Sequence, residues 1–255
     1  MPFTYDDFDL SGIHTYPLKS RPSKARVEDF ARSCKAGSIA AWLDSLPNAL
    51  AAADFRAVIR AIQDARQADS GVVWGIGAHV IKTGLGPVLI DLMERGYVSA
   101  IAANGATVIH DFEIALVGAT SEDVDESLGP GRFGMAEETG RLLNAAISDG
   151  VAAGLGIGQS VTGFFAGREP QFARHSILAA AARLRIPVTV HVAIGTDIIH
   201  MHPAASGAAL GDGSLRDFRY FVSNVARPTA GTRRGYSLVG HHEIMIPLLA
   251  AALEN

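Results

Sequence analysis

A turn of small residues followed by two ionisable side chains is the pattern in this chain that best fits binding or catalysis. The ionisable pair is His110 and Asp111. A histidine beside a carboxylate can bind ribose hydroxyls, orient a substrate amine or exchange a proton. Asp111 could equally cap or charge the first turn of a following helix, and these roles are compatible. The turn that precedes the pair consists of Asn104, Gly105, Ala106 and Thr107.

An apolar run leads into this turn. Residues 97–103 read YVSAIAA, and we predict a buried parallel strand over Val98–Ala103. In open parallel sheets, ligands bind outside the carboxyl ends of the strands, where small side chains and backbone amides allow close approach. The sequence therefore predicts that a nucleotide lies at the turn after this strand.

A second glycine-bearing turn, GIGAH over residues 75–79, follows a predicted strand at Gly71–Ile76 and precedes a helix. Such a turn suits a phosphate group, because glycine lets the backbone approach and a helix N-terminus carries positive potential. The third glycine of the GxGxxG fingerprint is missing, so an ordinary strand-to-helix turn is an equally good interpretation. Residues 154–158, GLGIG, follow no clear strand and are predicted to form a flexible connector.

A group of side chains near a later strand raises the alternative of a metal site. In an extended segment His200 and His202 share one face, which is a common way to bring two imidazoles to one ion. Pro203 interrupts that segment, however, and hydrogen-bonded or core histidines are the commoner explanation. No metal is therefore predicted, and a metal-dependent hydrolase stays as an alternative. Its ligands would be His191, Asp197, His200 and His202.

Helical and strand patterns alternate along the chain, which indicates an α/β protein with a parallel sheet and right-handed crossovers. The first residues are polar and rich in proline, so we predict an irregular arm over residues 1–26 and one α/β domain over residues 27–255. A further strand is predicted over Ile186–Ile194. Helical patterns cover Val27–Ala68, Gly86–Arg95, Asp111–Leu116, Met135–Gly150, Ser176–Leu184, Asp217–Val225 and Ile244–Leu253.

Composition excludes several classes of function. The net charge of −4 offers no basic surface for nucleic acid. No apolar run reaches the ~18–20 residues that a membrane span requires, and the acidic N-terminus lacks the features of a signal peptide. The single cysteine, Cys34, excludes an internal disulfide and suits a reducing cytosol, so a cytoplasmic location is expected. The GxSxG elbow of many serine hydrolases is absent.

The stretch from Ala78 to Asp111 resembles the deoxyhypusine synthase family. Ala78 and His79 stand where that family has Ser-Asn, residues 104–107 where it has Thr-Ala-Gly-Gly, and residues 110–111 where it has Glu-Asp. The spacing between these motifs matches without a gap, although few of the residues are identical. The resemblance extends over most of the chain from Gly75 onward.

Later segments resemble the same family. The Ile-Pro-Val at residues 186–188 and the Thr-Asp at residues 196–197 resemble its strand and the turn that follows, offset by about one residue. Asp217 precedes a helix as a family aspartate does. The ending, with Gly-His-His at residues 240–242 and Pro-Leu-Leu at residues 247–249, resembles the family's Ala-Asp-Ala and Pro-Leu-Leu.

The resemblance implies a Rossmann-like NAD-binding fold with helices on both faces of the sheet, in a homotetramer whose active sites are shared between subunits. Such enzymes oxidise spermidine with NAD, form an imine and pass an aminobutyl group to a lysine of the enzyme. Here the segment that carries this lysine is missing near Val225, and no lysine follows Lys82. A Schiff base needs an amine nucleophile, so deoxyhypusine synthase activity itself is not expected.

The hypothesis from the sequence is therefore an NAD-dependent transferase of the deoxyhypusine-synthase-like group. It would act on a small polyamine, guanidine or related amine through an imine, with direct transfer to the acceptor. His110 and Asp111 are the predicted catalytic residues, and a catalytically inactive NAD-binding homologue is a further alternative. The predicted cofactor site consists of His79, Asn104, Gly105, Ala106, Thr107, Asp217, His241 and His242.

Overall fold

The computed structural model describes residues 11–12, 14–22, 26–34, 37–129 and 131–226, together with the backbone of residues 236–240. The chain divides into two compact units, Met1–Phe55 and Arg56–Asn255. The described part of the first unit contains 3-10 turns at Leu18–Ser20 and Val27–Asp29. The predicted boundary between residues 26 and 27 falls inside this unit, and it stays a prediction.

Two helices follow in the first unit. Helix α1 (Ile39–Ser45) begins after Ser38, whose hydroxyl accepts the N–H of Ala41. This is the usual capping of a helix N-terminus by a serine. Helix α2 (Leu50–Gln67) begins in the first unit and continues into the second.

The second unit is built on a four-stranded parallel sheet. Its strands lie in the order β3-β2-β1-β4, so the direction of winding reverses beside β1. All three pairings are parallel, with Trp74 of β1 opposite both Ile101 of β2 and Leu238 of β4. The strands are β1 (Val72–Ile76), β2 (Ala100–Asn104), β3 (Val188–His191) and β4 (Tyr236–Gly240).

Helices surround this sheet. Helix α9 packs against α4 and α5, while α8 and α10 pack on β3 and against α7. The predicted α/β class and Rossmann-like fold are confirmed. The helices of the second unit are α3 (His79–Lys82), α4 (Gly86–Glu94), α5 (Gly105–Val117), α6 (Val124–Leu128), α7 (Glu137–Ala152), α8 (Ile157–Gly163), α9 (Ile177–Leu184) and α10 (Gly207–Ala226).

The core lies between the sheet and these helices. Trp74 in the central strand is fully buried, and its indole N–H donates to the carbonyl of Tyr97 at 2.9 Å. Phe112 of α5 is also fully buried and meets Phe164 edge-on, with ring centroids 4.9 Å apart. Buried aromatic groups of this size contribute much of the apolar area that stabilises a domain. No helix in the described part of the chain is long and apolar enough to cross a membrane.

Several predicted elements need correction. The GLGIG segment was predicted as a flexible connector, but α8 begins at Ile157 within it. The helix predicted to start at Asp111 starts at Gly105, and the helix predicted from Asp217 starts at Gly207. The helix predicted over residues 244–253 lies outside the described residues.

Candidate functional site

Because all the strands are parallel, their carboxyl ends lie along one edge of the sheet. Strand β2 ends at Asn104, which begins α5. Its side-chain oxygen accepts the backbone N–H of Thr107 at 2.9 Å and the hydroxyl of Thr107 at 2.7 Å. This capping turn places the first residues of a 13-residue helix at the edge where ligands of open α/β sheets bind.

Gly105, the first residue of α5, lies against the side chain of Asp197. A Cβ atom at position 105 would overlap the Asp197 carboxylate. Glycine is therefore required here for close approach rather than for an unusual backbone angle. Asp197 comes from the segment after β3, so this contact joins the carboxyl ends of two neighbouring strands.

A cavity of about 500 Å³ opens beside this contact. Helix α5 forms one wall, the segment that contains α6 a second, and residues 196–198 a third. Three carboxylates and one ammonium group line it, so the wall carries more negative than positive charge. A cationic ligand such as an amine or a guanidine fits this balance. The ionisable side chains of the wall are Lys82, His110, Glu113, Glu122 and Asp197.

His110 is held by a chain of hydrogen bonds along this wall. The hydroxyl of Thr120 donates to Glu113 Oε2 at 2.5 Å and lies 2.6 Å from Nδ1 of His110. A hydroxyl has one proton to donate, so the network assigns the imidazole proton to Nδ1, which donates to Thr120. Nε2 of His110 is then free to accept a proton or a hydrogen bond.

Burial, and after it the charges of Lys82 and His79, together lower the pKa of His110 to about 4. The imidazole is therefore neutral at pH 7. The structure brings His79, Lys82 and His110 close enough for their charges to interact. Glu113 also accepts the hydroxyl of Thr139 at 3.1 Å, which fixes its carboxylate behind Thr120.

The side chain of Asp197 is almost fully buried, and burial raises its pKa. The backbone N–H of His200 donates to the Asp197 side chain, and Nδ1 of His200 accepts the Asp197 N–H. A carboxylate fixed in this way at the cavity wall can accept hydrogen bonds from a ribose or bind an ammonium group.

The structure does not bring Asp111 to the cavity. Its side chain is fully buried on a different face of α5 from that of His110, and its oxygens accept the N–H groups of Ile177 and Leu178 at 2.8 and 2.9 Å. The hydroxyl of Ser176 donates to the same carboxylate. Asp111 thus caps the N-terminus of α9. Burial raises the pKa of Asp111 to about 6, although these hydrogen bonds act in the opposite direction and lower it.

Asp217 is likewise fully buried and remote from the cavity wall. Its Oδ2 accepts the N–H of Gly158 in α8 at 2.7 Å and that of Val190 in β3 at 2.8 Å. It therefore satisfies an N–H group on the free edge of the sheet, where an unpaired strand would otherwise be exposed. Burial raises its pKa to about 6.

The four predicted metal ligands do not converge. Nδ1 of His200 accepts backbone N–H groups, and Nδ1 of His202 accepts the N–H of Ala204 at 3.1 Å. His191 lies 3.0 Å from the Thr189 hydroxyl and meets Phe221 edge-on. Among the residues that the structure describes, no group of three or more His, Cys, Asp or Glu side chains could hold a metal ion.

Some predicted site residues lie at the cavity and others are not described. Ala106 lines the wall, whereas Thr107 is buried beneath the capping turn. His241 and His242 lie outside the described residues. Among the wall residues that the sequence did not predict are Glu113, Thr120 and Glu122. Glu113 could have been found, because it follows His110 by three positions and so lies on the same face of a helix.

Known proteins resemble parts of this chain. Residues 56–140 match the family model of the ArgZ-like arginine dihydrolases, in their C-terminal Rossmann-fold region. No curated protein sequence matches the chain. ArgZ, an arginine dihydrolase from the ornithine–ammonia cycle in cyanobacteria, has a TM-score of 0.51 and 14% identity, over 81% of this chain and 33% of its own.

Two further solved structures are similar. AgrE in complex with ornithine and NAD⁺ has a TM-score of 0.50 and 19% identity, over 79% of this chain and 33% of its own. A protein described as a deoxyhypusine synthase, from Entamoeba histolytica, has a TM-score of 0.52 and 12% identity, over 84% of this chain and 90% of its own. This chain spans about a third of the length of ArgZ and AgrE. Together the family model and these structures establish a Rossmann fold.

Proposed function

We propose that this chain binds NAD and oxidises a small cationic amine at the cavity beside α5. The observation that carries the proposal is the charge of that cavity, which is lined by three carboxylates, a neutral histidine and one ammonium group at the carboxyl edge of a Rossmann sheet. The likeness to AgrE in complex with ornithine and NAD⁺, and to a deoxyhypusine synthase, supports the same class of cofactor and substrate.

The residues at this edge fit a dinucleotide. The winding direction reverses beside β1, where dinucleotides bind in open α/β sheets, and β1 is followed by the small residues Gly77 and Ala78. Asn104 ends β2, and its Oδ1 is used in capping, so its amide N–H groups are left to donate. Asp197, packed on Gly105, supplies the acceptor for ribose hydroxyls. When bound, NAD supplies a hydride acceptor.

The side chains of the cavity then have separate tasks. Glu113 and Glu122 attract the cationic group and hold it in the cavity, since both carboxylates line the wall. His110 accepts a hydrogen bond or a proton from the amine at Nε2, while Thr120 and Glu113 hold its Nδ1–H. Removing that proton lets the amine nitrogen donate electrons when the neighbouring carbon gives up hydride, and the product is an iminium ion, the protonated imine.

The ammonium group of Lys82 in the cavity wall affects which class of substrate can bind. A polyamine carries only positive groups, and Lys82 would repel it, whereas an amino acid with a basic side chain offers a carboxylate to the Lys82 ammonium. We therefore rank basic amino acids, which have a carboxylate, ahead of polyamines and of guanidines that lack one.

Calorimetric titration of the protein with NAD⁺ tests the proposal first. We expect saturable micromolar binding, weakened roughly 10–100-fold by Asp197→Asn, since hydrogen bonds to charged groups contribute about 1.5–3 kcal/mol. Asp149→Asn, an exposed substitution on α7, is the matched control and should leave affinity unchanged. Absence of binding to the unaltered protein would refute the proposal.

Absorbance of NADH then tests turnover with ornithine, arginine, spermidine and putrescine. His110→Asn should abolish NADH formation while NAD⁺ still binds, and His175→Asn, outside the cavity, should not. Binding without turnover on every amine, in the unaltered protein, would favour the second candidate, a catalytically inactive NAD-binding homologue.

A further inference from the structure

His200 has a buried N–H group without a partner. Its side chain is 4% exposed, and Nε2 makes no hydrogen bond with any residue that the structure describes. Buried polar groups are paired in the great majority of cases, so an exception calls for a physical reason. The nearest carboxylate is that of Asp197, whose Oδ2 lies 3.9 Å from Nε2.

The other ring nitrogen fixes the tautomer. Nδ1 of His200 accepts the backbone N–H of Gly195 at 3.0 Å and that of Asp197 at 3.4 Å. A nitrogen that accepts cannot also carry the proton of a neutral imidazole. The proton therefore sits on Nε2, whose distance of 3.9 Å from Oδ2 of Asp197 is about 1 Å beyond the usual length of such a hydrogen bond.

Asp197 is thus held from two sides. One side is Gly105, which it touches at the N-terminus of α5, and the other is the imidazole of His200. The cavity lies between α5 and the segment that carries both residues. A carboxylate in this place keeps its charge and orientation only when its neighbours supply donors or positive potential.

We propose that His200 is a positioning residue for Asp197. Nδ1 holds the loop over residues 195–197, and Nε2–H fixes the carboxylate toward the cavity, closing to hydrogen-bond distance when a ligand occupies the site. The proposal rests on the proposed function in one respect, namely that Asp197 contacts the ligand. His200 itself touches neither cofactor nor substrate.

Two substitutions separate the two nitrogens. His200→Asn keeps an acceptor near the position of Nδ1 and removes the Nε2 donor, whereas His200→Gln reaches the position of Nε2 with an N–H group. His202→Asn is the matched control, because Nδ1 of His202 also accepts a loop N–H and its Nε2 lies 3.6 Å from a different carboxylate, that of Glu137.

The first readout is the titration of the Asp197 carboxyl, followed by NMR with ¹³C-labelled aspartate. We expect His200→Asn to raise the measured pKa of Asp197, His200→Gln to restore most of that change, and His202→Asn to leave it unaltered. Melting temperatures should be similar for His200→Asn and His202→Asn. An unaltered Asp197 titration in His200→Asn would overturn the proposal, and so would a change that merely follows the melting temperature.

The second readout is NAD⁺ affinity by calorimetry. His200→Asn should weaken binding about tenfold, and His200→Gln should recover most of it. If the unaltered protein does not bind NAD⁺, the proposed function fails, while the Asp197 titration still decides the role of His200. If His200→Asn does not fold, His200→Gln decides: an Asp197 pKa unlike that of the unaltered protein would refute a role for the donor.

Discussion

Replacing Gly105 by alanine tests the contact on which the candidate site depends. Gly105 begins α5, and a Cβ atom there would overlap the Asp197 carboxylate. Alanine in place of glycine favours a helix by up to about 1 kcal/mol. Forcing an extra methyl group into a packed contact costs about 1–3 kcal/mol. The overlap therefore outweighs the gain, and we expect a net loss of roughly 1–2 kcal/mol.

The matched control is Gly211→Ala in α10, where no atom lies within 4 Å of the added Cβ. That variant should gain up to about 1 kcal/mol from helix propensity alone. Urea unfolding of both variants measures the difference in free energy of unfolding. We expect Gly105→Ala to be the less stable of the two by about 1–3 kcal/mol.

A double-mutant cycle identifies the partner. In a background of Asp197→Ala the overlap is removed, so Gly105→Ala should become neutral or stabilising, like Gly211→Ala. The coupling between positions 105 and 197 should be about 1–3 kcal/mol, in the range measured for residues in contact. Equal gains for Gly105→Ala and Gly211→Ala in the unaltered protein would refute the packing of Asp197 on Gly105.

Three further predictions concern single side chains. Asp111→Ala should lower the free energy of unfolding by about 2–4 kcal/mol, because it removes the cap of α9. The affinity for NAD⁺, measured by calorimetry, should not change; a folded variant with lower affinity would show that Asp111 contributes to the site. NMR should find the His110 imidazole neutral above pH 5, with its proton on Nδ1, because its pKa is about 4; Thr120→Val should remove that tautomer preference. The pKa of Asp217 in the folded protein, about 6, lies above its value in the unfolded chain. Between about pH 4 and pH 6 the folded protein therefore binds more protons than the unfolded chain, and the contribution of Asp217 to the stability of the fold is lost as the pH rises through that window. The difference in unfolding free energy between the unaltered protein and Asp217→Asn should shift by on the order of 3 kcal/mol across that window, and a flat difference would exclude burial as the cause.

The strands could be predicted because their residues are apolar in short runs. Most of residues 72–76 and 100–103 are buried, on both faces of the sheet, which is the environment that such runs indicate. Helix α10 was recognised only from Asp217 because its first turns contain Gly207, Gly211 and Gly213, which disfavour helices. Gly213 is needed there, since a Cβ atom would press on Ile157 and Val151.

At the site, the sequence predicted His110 and Gly105 as members but could not show their partners. Thr120 and Asp197 come from segments whose positions depend on the whole fold. The separation of His110 from Asp111 was within reach of the sequence. Once α5 starts at Gly105, helical spacing puts Asp111 on the core face with Val108 and Phe112, and neighbours along a helix do not face the same way.

Two contacts of the same kind explain why glycine-rich turns were ambiguous in this sequence. Gly105 lies against Asp197, and Gly156 lies against Asp217, so in both places the missing Cβ makes room for a carboxylate of the chain itself. Asp217 is fully buried, and backbone N–H groups of α8 and β3 are its partners. Asp197 instead lines the cavity at the carboxyl edge of the sheet. Of the two carboxylates, only that of Asp197 lines this cavity, and the difference lies in the surroundings rather than in the glycine.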